Sequence, residues 1–378
     1  MSDTDILDAV DRFLDREVRP HVTRLEHDDI WPEEIVAGMA ELGLFGATIS
    51  PNHGGLGLPA ATYARIVERV ARVWMSLAGI FNSHLIAAAM VERFGTEAQK
   101  RAFLPEMASG AKRGGLALTE PDCGTDLQAI RMRAVRDGDG YLLNGTKTWI
   151  SNGLHGQVFA VLVKTDPNAD PVHRGMSAFL LEKGPGFAAG RKFEKLGYKG
   201  IDSAELIFED HRVGAERLIG GVEGKGLPHT LAALELGRIN VAARGVGVAQ
   251  AALDEALRYS QIRKTFGKPI CEHQAIQIKL ADMATRTEAA RLLTNAAAEA
   301  YDRGGRTSLE TSMAKLFASE AAVENSLEAM RVHGGYGYSK EFPVERLYRD
   351  APLLVIGEGT SEVQRLVIAR QLIERNSV

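Results

Sequence analysis

Ile130-Arg131-Met132-Arg133-Ala134-Val135-Arg136-Asp137-Gly138-Asp139-Gly140-Tyr141-Leu142-Leu143 carries two short runs of β-type alternation around an Asp-Gly-Asp-Gly turn. Glycine accepts the positive φ of a tight loop that other residues resist, so the stretch reads as a β-hairpin. Moving outward, residues 116–118, 158–164, 177–182 and 204–208 share this texture. Together they predict a β domain over residues 113–219. Toward the N-terminus the pattern is helical. Ile6, Val10, Phe13 and Leu14, then Ile35, Met39 and Leu42, then Tyr63, Ile66, Val67 and Val70 recur at helical spacing, and further helices are expected over 74–94 and 97–109. Residues 1–112 thus read as an α-helical domain. Beyond the β runs, Gly220-Gly221-Val222-Glu223-Gly224-Lys225-Gly226 reads as a linker opening a third domain, 220–378. Long helical segments return over 239–259, 276–301 and 313–330, with Ile276, Leu280, Met283, Thr287 and Ala290 on one face, as a bundle requires. The fold class is α+β.

Composition narrows the function. The 378 residues are 45 % apolar and 25 % charged, which suits a globular protein with a large core. A net charge of -4 with no Lys/Arg-dense tract argues against a nucleic-acid partner. The only cysteines, Cys123 and Cys271, form neither a disulfide framework nor a CxxC motif, and the ten histidines show no HExxH spacing, so no metal site is expected. The first residues, Met1-Ser2-Asp3-Thr4-Asp5-Ile6-Leu7, lack a signal peptide's basic flank and apolar core, so a cytoplasmic setting is expected. The uninterrupted apolar runs are too short to span a bilayer, and Glu235, Arg238 and Arg244 break those between 231 and 253; no membrane association is expected.

Chemistry concentrates in Leu353-Leu354-Val355-Ile356-Gly357-Glu358-Gly359-Thr360-Ser361-Glu362-Val363-Gln364, where a lone carboxylate follows an apolar run. Glycines flank Glu358, and Val363, Leu366, Val367 and Leu372 predict a helix capped by Thr360 or Ser361. Burial would raise the carboxyl pKa and make a base fit for neutral pH. The plainer alternative is a glutamate facing solvent at a helix start. Four further stretches stand out. Leu118-Thr119-Glu120-Pro121-Asp122-Cys123-Gly124-Thr125-Asp126 offers hydroxyls and backbone N–H groups to a flavin edge or a phosphate, or is simply a polar turn. Trp149, within Asn144-Gly145-Thr146-Lys147-Thr148-Trp149-Ile150-Ser151-Asn152-Gly153, is either functional or a core aromatic. Arg263-Lys264-Thr265-Phe266-Gly267-Lys268-Pro269 could pair with a pyrophosphate or be a solvated basic loop. Val332-His333-Gly334-Gly335-Tyr336-Gly337-Tyr338 allows a close backbone approach.

In this order and spacing, the markers Leu118-Thr119-Glu120-Pro121 with Gly124-Thr125-Asp126, Trp149-Ile150-Ser151-Asn152-Gly153, Arg263-Lys264-Thr265-Phe266-Gly267, His333-Gly334-Gly335-Tyr336-Gly337 and Glu358-Gly359-Thr360 resemble the acyl-CoA dehydrogenase family of flavoproteins over nearly the whole chain. The resemblance implies a middle β-barrel or sandwich, a C-terminal four-helix bundle, a homotetramer, FAD, an acyl-CoA substrate and an electron-transfer flavoprotein as partner. It places Leu118, Thr119, Gly124 and Thr125 on the flavin, Thr125 also near substrate, and Trp149, Ile150 and Ser151 beside the ring. Arg263, Thr265, Phe266, Gln274, Arg331, Gly334 and Gly335 would reach the FAD of a neighbouring subunit, and Thr360 and Glu362 its nucleotide end. Glu235 and Arg238 match positions near CoA, and Gly357 and Gly359 line the acyl site. Arg331 and Glu362 depart from the family's frequent glutamine, which implies charge-paired or rearranged contacts around the FAD nucleotide, and Asp122-Cys123 departs from its small pair, which alters the loop but leaves Gly124 in place.

The resemblance also implies a reaction. Glu358 would remove the proton α to the thioester while the β hydride passes to flavin N5, giving the trans-2-enoyl-CoA. Its backbone N–H would help bind the thioester carbonyl. Some members carry the base at the position that is here Gly237, and Glu235 lies on another face of that helix. Gly357 replaces a frequent bulky aromatic, so a short or branched acyl group is expected. The alternatives are a flavin monooxygenase on the same fold, a dehydrogenase of carrier-protein thioesters, and a helical assembly protein without catalysis.

Overall fold

The computed structural model of the chain describes residues 3–377. Its N-terminal helices are α1 (Asp3–Phe13), α2 (Val22–His27), α3 (Glu33–Glu41), α4 (Ala60–Phe94) and α5 (Glu97–Ala108). Helix α1 buries Ile6, Leu7 and Val10, one face of its 3.6-residue period. Thr96 caps α5 in a reciprocal box with Gln99. Helix α4 breaks at Trp74 (φ -155°, ψ 105°), where the sequence pattern begins a new helix. It is long and apolar enough to cross a membrane, yet 94 % of its most apolar window is buried inside the protein. Its apolarity therefore serves the core.

The middle domain is one seven-stranded mixed sheet of β1 (Gly114–Ala117), β2 (Arg133–Asp137), β3 (Gly140–Ser151), β4 (Val158–Lys164), β5 (Met176–Glu182), β6 (Phe187–Lys192) and β7 (Ser203–Gly214). Asp137 pairs with Gly140 across the hairpin, and Gly138 takes φ 63°. Strand β4 is the hub. It pairs antiparallel with β5 along its whole length and parallel with β1 on its other edge. Its Val-Phe-Ala-Val-Leu-Val run is buried throughout, as a strand covered on both faces requires. The sequence pattern missed β6, because Ala188, Ala189 and Gly190 supply no apolar alternation.

The C-terminal domain holds α6 (Gly226–Ile262), a short hairpin of β8 (Lys264–Thr265) and β9 (Lys268–Pro269), then α7 (Gln274–Asp302), α8 (Ser308–His333), α9 (Val344–Ile356) and α10 (Ser361–Arg375). Helices α6 and α8 pack closely enough that a Cβ on Gly245 would lie 2.6 Å from the Ala318 carbonyl oxygen. Met283, Thr287 and Ala290 form the buried face of α7.

A buried ion cluster ties the N-terminal helices to α9. Arg349 donates to both oxygens of Glu26 at 2.6 and 2.9 Å, and to Glu345 at 2.7 and 3.0 Å. Glu26 is fully buried, so losing the guanidinium would strip its carboxylate of both Arg349 bonds in a water-poor place, while Glu345 would keep His27 at 3.0 Å. Arg349→Ala is expected to destabilise the protein by about 3–5 kcal/mol in urea denaturation. An unchanged unfolding midpoint would show that the cluster contributes little.

Candidate functional site

Between α9 and α10 the chain makes a strained turn. Glu358 has φ 54° and Gly359 φ 89°, and the first is a costly conformation for a residue with a Cβ. Side chains from α8 and α10 hold it. Lys315 Nζ and Gln364 Nε2 donate to the Gly359 carbonyl at 2.7 and 3.1 Å, and the Thr360 hydroxyl caps α10 by accepting from Val363 N at 3.3 Å. Burial lowers the Lys315 pKa to about 8. The Glu358 N–H has no acceptor among the described residues.

The Glu358 side chain points between α4 and α6. Asn82 Nδ2 donates to Oε1 at 2.7 Å and Arg244 Nη2 to the same oxygen at 3.0 Å. Oε2 is buried without a partner, and a Cβ built on Gly237 would stand 2.5 Å from it. The side chain keeps 23 % of its surface open. Desolvation raises its pKa above the ordinary carboxyl value, against the lowering effects of Arg244, Lys315 and the Asn82 bond. The result is a carboxylate with one anchored oxygen and one free, inclined to take a proton.

One turn of α4 joins this carboxylate to the β domain. Next to Asn82, Ser83 Oγ accepts from Leu116 N at 3.1 Å, and Asn152 Nδ2 bridges the carbonyls of Ile80 and Gly114, each at 2.8 Å. Thus the ends of β1 and β3 lie against the segment that holds Glu358. The loop after β1 is pinned to β3: Thr148 N donates to Thr119 O at 2.8 Å, and buried Lys147 Nζ binds Glu120 Oε1 at 2.8 Å and Leu118 O at 2.9 Å. Glu120 in turn accepts from the N–H groups of Arg131 and Met132. Trp149 is no core residue. It is 55 % exposed at φ 61° and stacks on Phe193 with centroids 4.1 Å apart. Ile150 is buried, whereas Gly124 and Thr125 are open to solvent. The hydroxyls of Thr119, Thr125 and Ser151 bond to no described residue. An exposed indole beside unengaged hydroxyls is the chemistry a flavin ring needs.

A second group lies elsewhere, at the outer end of the bundle. Arg263, Thr265, His273, Gly334 and Gly335 line an open cleft of about 710 Å³. A Cβ on either glycine would meet nothing within 4 Å, so the cleft has room for a ligand's phosphates or ribose. Phe266 projects beyond it, 97 % exposed at φ 51°, and Gln274 opens α7 in solvent. Arg331 is exposed and paired with Glu328, and Glu362 is exposed in the first turn of α10. Glu235 is committed inside the protein, accepting from the hydroxyls of Thr307 and Ser308 at 3.1 and 2.7 Å. Arg238 is buried with Nε unpartnered, and Gly357 and Gly359 flank Glu358 in the turn. Cys123 is half-buried, and burial raises its pKa, so it is a poor nucleophile. The sequence reading did not single out Asn82, Tyr198 or Lys315, and it noted Arg244 only as a break in an apolar run. A charged residue inside an alanine-rich helix was the available signal.

Family models cover the chain almost end to end: acyl-CoA dehydrogenase N-terminal domain over residues 2–111, middle domain over 115–211 and C-terminal domain over 224–373. The chain is 41 % identical over 363 residues to an acyl-CoA dehydrogenase of Bacillus subtilis, covering 96 % of this chain and 95 % of that one. Butyryl-CoA dehydrogenase of Megasphaera elsdenii superposes with a TM-score of 0.95 at 38 % identity, covering 98 % of each chain. A chain solved in work on an electron transferring flavoprotein of Acidaminococcus fermentans gives a TM-score of 0.95 at 39 % identity, covering 98 % of this chain and 97 % of that one.

The loop after β1 depends on the Lys147–Glu120 pair, since neither side chain has water to fall back on. Lys147→Met is expected to cost about 3–5 kcal/mol by leaving Glu120 unpaired, and adding Glu120→Gln should recover part of that loss. Additive losses in chemical denaturation would contradict the coupling.

Proposed function

The chain belongs to the acyl-CoA dehydrogenase family of flavin-dependent oxidoreductases, and from that premise we propose that it oxidises a short acyl-CoA to the trans-2-enoyl-CoA with Glu358 as the base. The observation that carries this reading is the free Oε2 of a desolvated carboxylate whose other oxygen is fixed by Asn82 and Arg244. Bound FAD would supply the acceptor for the β hydride. Leu118, Thr119, Gly124, Thr125, Trp149 and Ser151 would hold its ring, and the cleft of Arg263, Thr265, Gly334 and Gly335 would receive the nucleotide of a second copy's FAD, which calls for at least two copies; a homotetramer is the assembly proposed.

Glu358 contributes twice. Its side chain takes the α proton, and its backbone N–H, which has no acceptor within the described chain, donates to the thioester oxygen as enolate-like charge develops there. The short-chain reading draws on the likeness to butyryl-CoA dehydrogenase. An electron-transfer flavoprotein is the proposed oxidant of the reduced enzyme, a reading suggested by the similar chain from work on such a protein.

Glu358→Gln is expected to keep the fold and the yellow colour while slowing anaerobic flavin reduction by acyl-CoA about 100- to 10,000-fold. Bleaching at the wild-type rate would remove Glu358 from its role. Because the Glu358 pKa is raised and only the ionised form accepts a proton, the reduction rate should fall on acidification with a midpoint above 4.5. A rate flat down to that pH would contradict a desolvated base. A Cβ at Gly357 meets only Leu353, so the space beside it is open to the acyl chain. Gly357→Tyr should therefore lower kcat/KM on branched thioesters relative to straight ones by about tenfold. Equal effects on both classes would show that the pocket does not extend past Gly357.

A further inference from the structure

Arg244 lies two helical turns beyond Gly237 on the same face of α6. It is 3 % exposed. Nη2 donates to Glu358 Oε1 at 3.0 Å, Nη1 to the Tyr198 hydroxyl at 3.2 Å, and Nε is buried with no acceptor. The wall around it is polar. Asn82 Oδ1 and Asn240 Oδ1 are both buried without donors, and Asn240 Nδ2 donates to the Tyr63 hydroxyl at 2.8 Å. Unpartnered polar atoms of this number and closeness are rare in a protein interior and mark a place where something else supplies the bonds. A saturated hydrocarbon chain has nothing to offer them.

The charge balance points the same way. Glu358 is the carboxylate that pairs with Arg244 among the described residues, while Lys315 and Arg238 also act on Glu358. When Glu358 takes the α proton it becomes neutral. Arg244 then remains in the interior without a counter-ion, a costly state. Before that step, the guanidinium favours the charged carboxylate and so weakens it as a base. A second anion brought in by the substrate would relieve both costs.

We propose that the acyl group is a short dicarboxylic one and that Arg244 binds its free carboxylate, a reading that rests on Glu358 being the base. Arg244 touches the oxygen of Glu358 directly, so the carboxylate it receives must lie close to the reacting carbons. That limits the substrate to the monothioester of a diacid of about four or five carbons, because each added carbon displaces the charge by ~1.3 Å along an extended chain and a fork of two parallel N–H···O bonds tolerates little displacement. The Asn82 amide and the Tyr198 hydroxyl flank the same spot. The reaction itself is unchanged: one proton leaves the α carbon for Glu358, one hydride leaves the β carbon for the FAD that the holoenzyme would hold, a C=C bond forms between the two carbons, and the free carboxylate is held without being altered.

The test is anaerobic flavin reduction of the holoenzyme by succinyl-CoA and glutaryl-CoA against butyryl-CoA and pentanoyl-CoA. The better diacid thioester should exceed its neutral counterpart in kcat/KM by about 100-fold or more, and Arg244→Gln should bring that ratio to within about tenfold of one. Arg244→Lys, which keeps the charge and loses the fork, should restore part of the preference and serves if the glutamine variant does not retain flavin. Reduction by the neutral thioesters with no preference for either diacid, or a ratio that Arg244→Gln and Arg244→Lys leave unchanged, overturns the proposal and leaves the role of Glu358 standing. Failure of every acyl-CoA to reduce the flavin would overturn both together.

Discussion

The bonds from Asn82 and Arg244 to a single oxygen of Glu358, 2.7 and 3.0 Å long, work against the desolvation of that carboxylate. A carboxylate buried without such donors would simply stay protonated, and one with both oxygens engaged would be too weak a base. Here the anchoring is one-sided. Oε1 carries the contacts that keep the group in place, and Oε2 is buried with no partner. Several features follow from that need: a backbone turn that aims the side chain inward at φ 54°, a buried lysine and a glutamine to hold the turn, and a glycine on the facing helix to make room. The strain of a positive φ at a residue with a Cβ is offset by these fixed neighbours.

Helix α4 converts this local arrangement into a relation between domains. Residues 80–83 meet Glu358 through Asn82, strand β1 through Ser83 and the end of β3 through the Ile80 carbonyl. The carboxylate and the exposed Trp149 therefore share one rigid reference. Tyr198 adds a second tie, its N–H on Asp350 Oδ1 at 2.6 Å and its hydroxyl on Arg244. Gly79 is small because that hydroxyl occupies the space a Cβ would need. Burial and a backbone donor act oppositely on Asp350, with burial the larger, and its pKa rises to about 6.

Periodicity exposed the three-part organisation, because helices and strands impose different repeats on apolar residues. The face of α7 was legible for that reason and β4 as a continuous apolar run, whereas β6, built of small residues, gave neither signal. At the site, Glu358 was legible because a lone charge in an apolar run is anomalous by itself. Asn82 and Lys315 were hidden for the opposite reason: each looks ordinary on its own helix and gains meaning only when α4, α8 and the α9–α10 turn meet. Trp149 was ambiguous for a further reason. Strand composition suggests core, and only its positive φ turns the indole outward.

Gly237 and Glu358 illustrate how distant positions share one volume. The carboxylate fills the space in which a side chain at 237 would stand, with Ile86 closing the other side at 2.6 Å from the same hypothetical Cβ. An acid at either position would thus deliver its oxygens to the same pocket, so that a protein with one base has steric reason to keep the other position small. Arg244 sits on that same face of α6, within reach of whichever carboxylate occupies the pocket. The helix therefore presents a gap and a cation in register, and the turn between α9 and α10 supplies the anion that fits both. On the proposed role of Glu358, proton transfer would neutralise that anion while the cation kept its charge, and that asymmetry is what ties the proposed carboxylate at the acyl group's far end to the step at its near end.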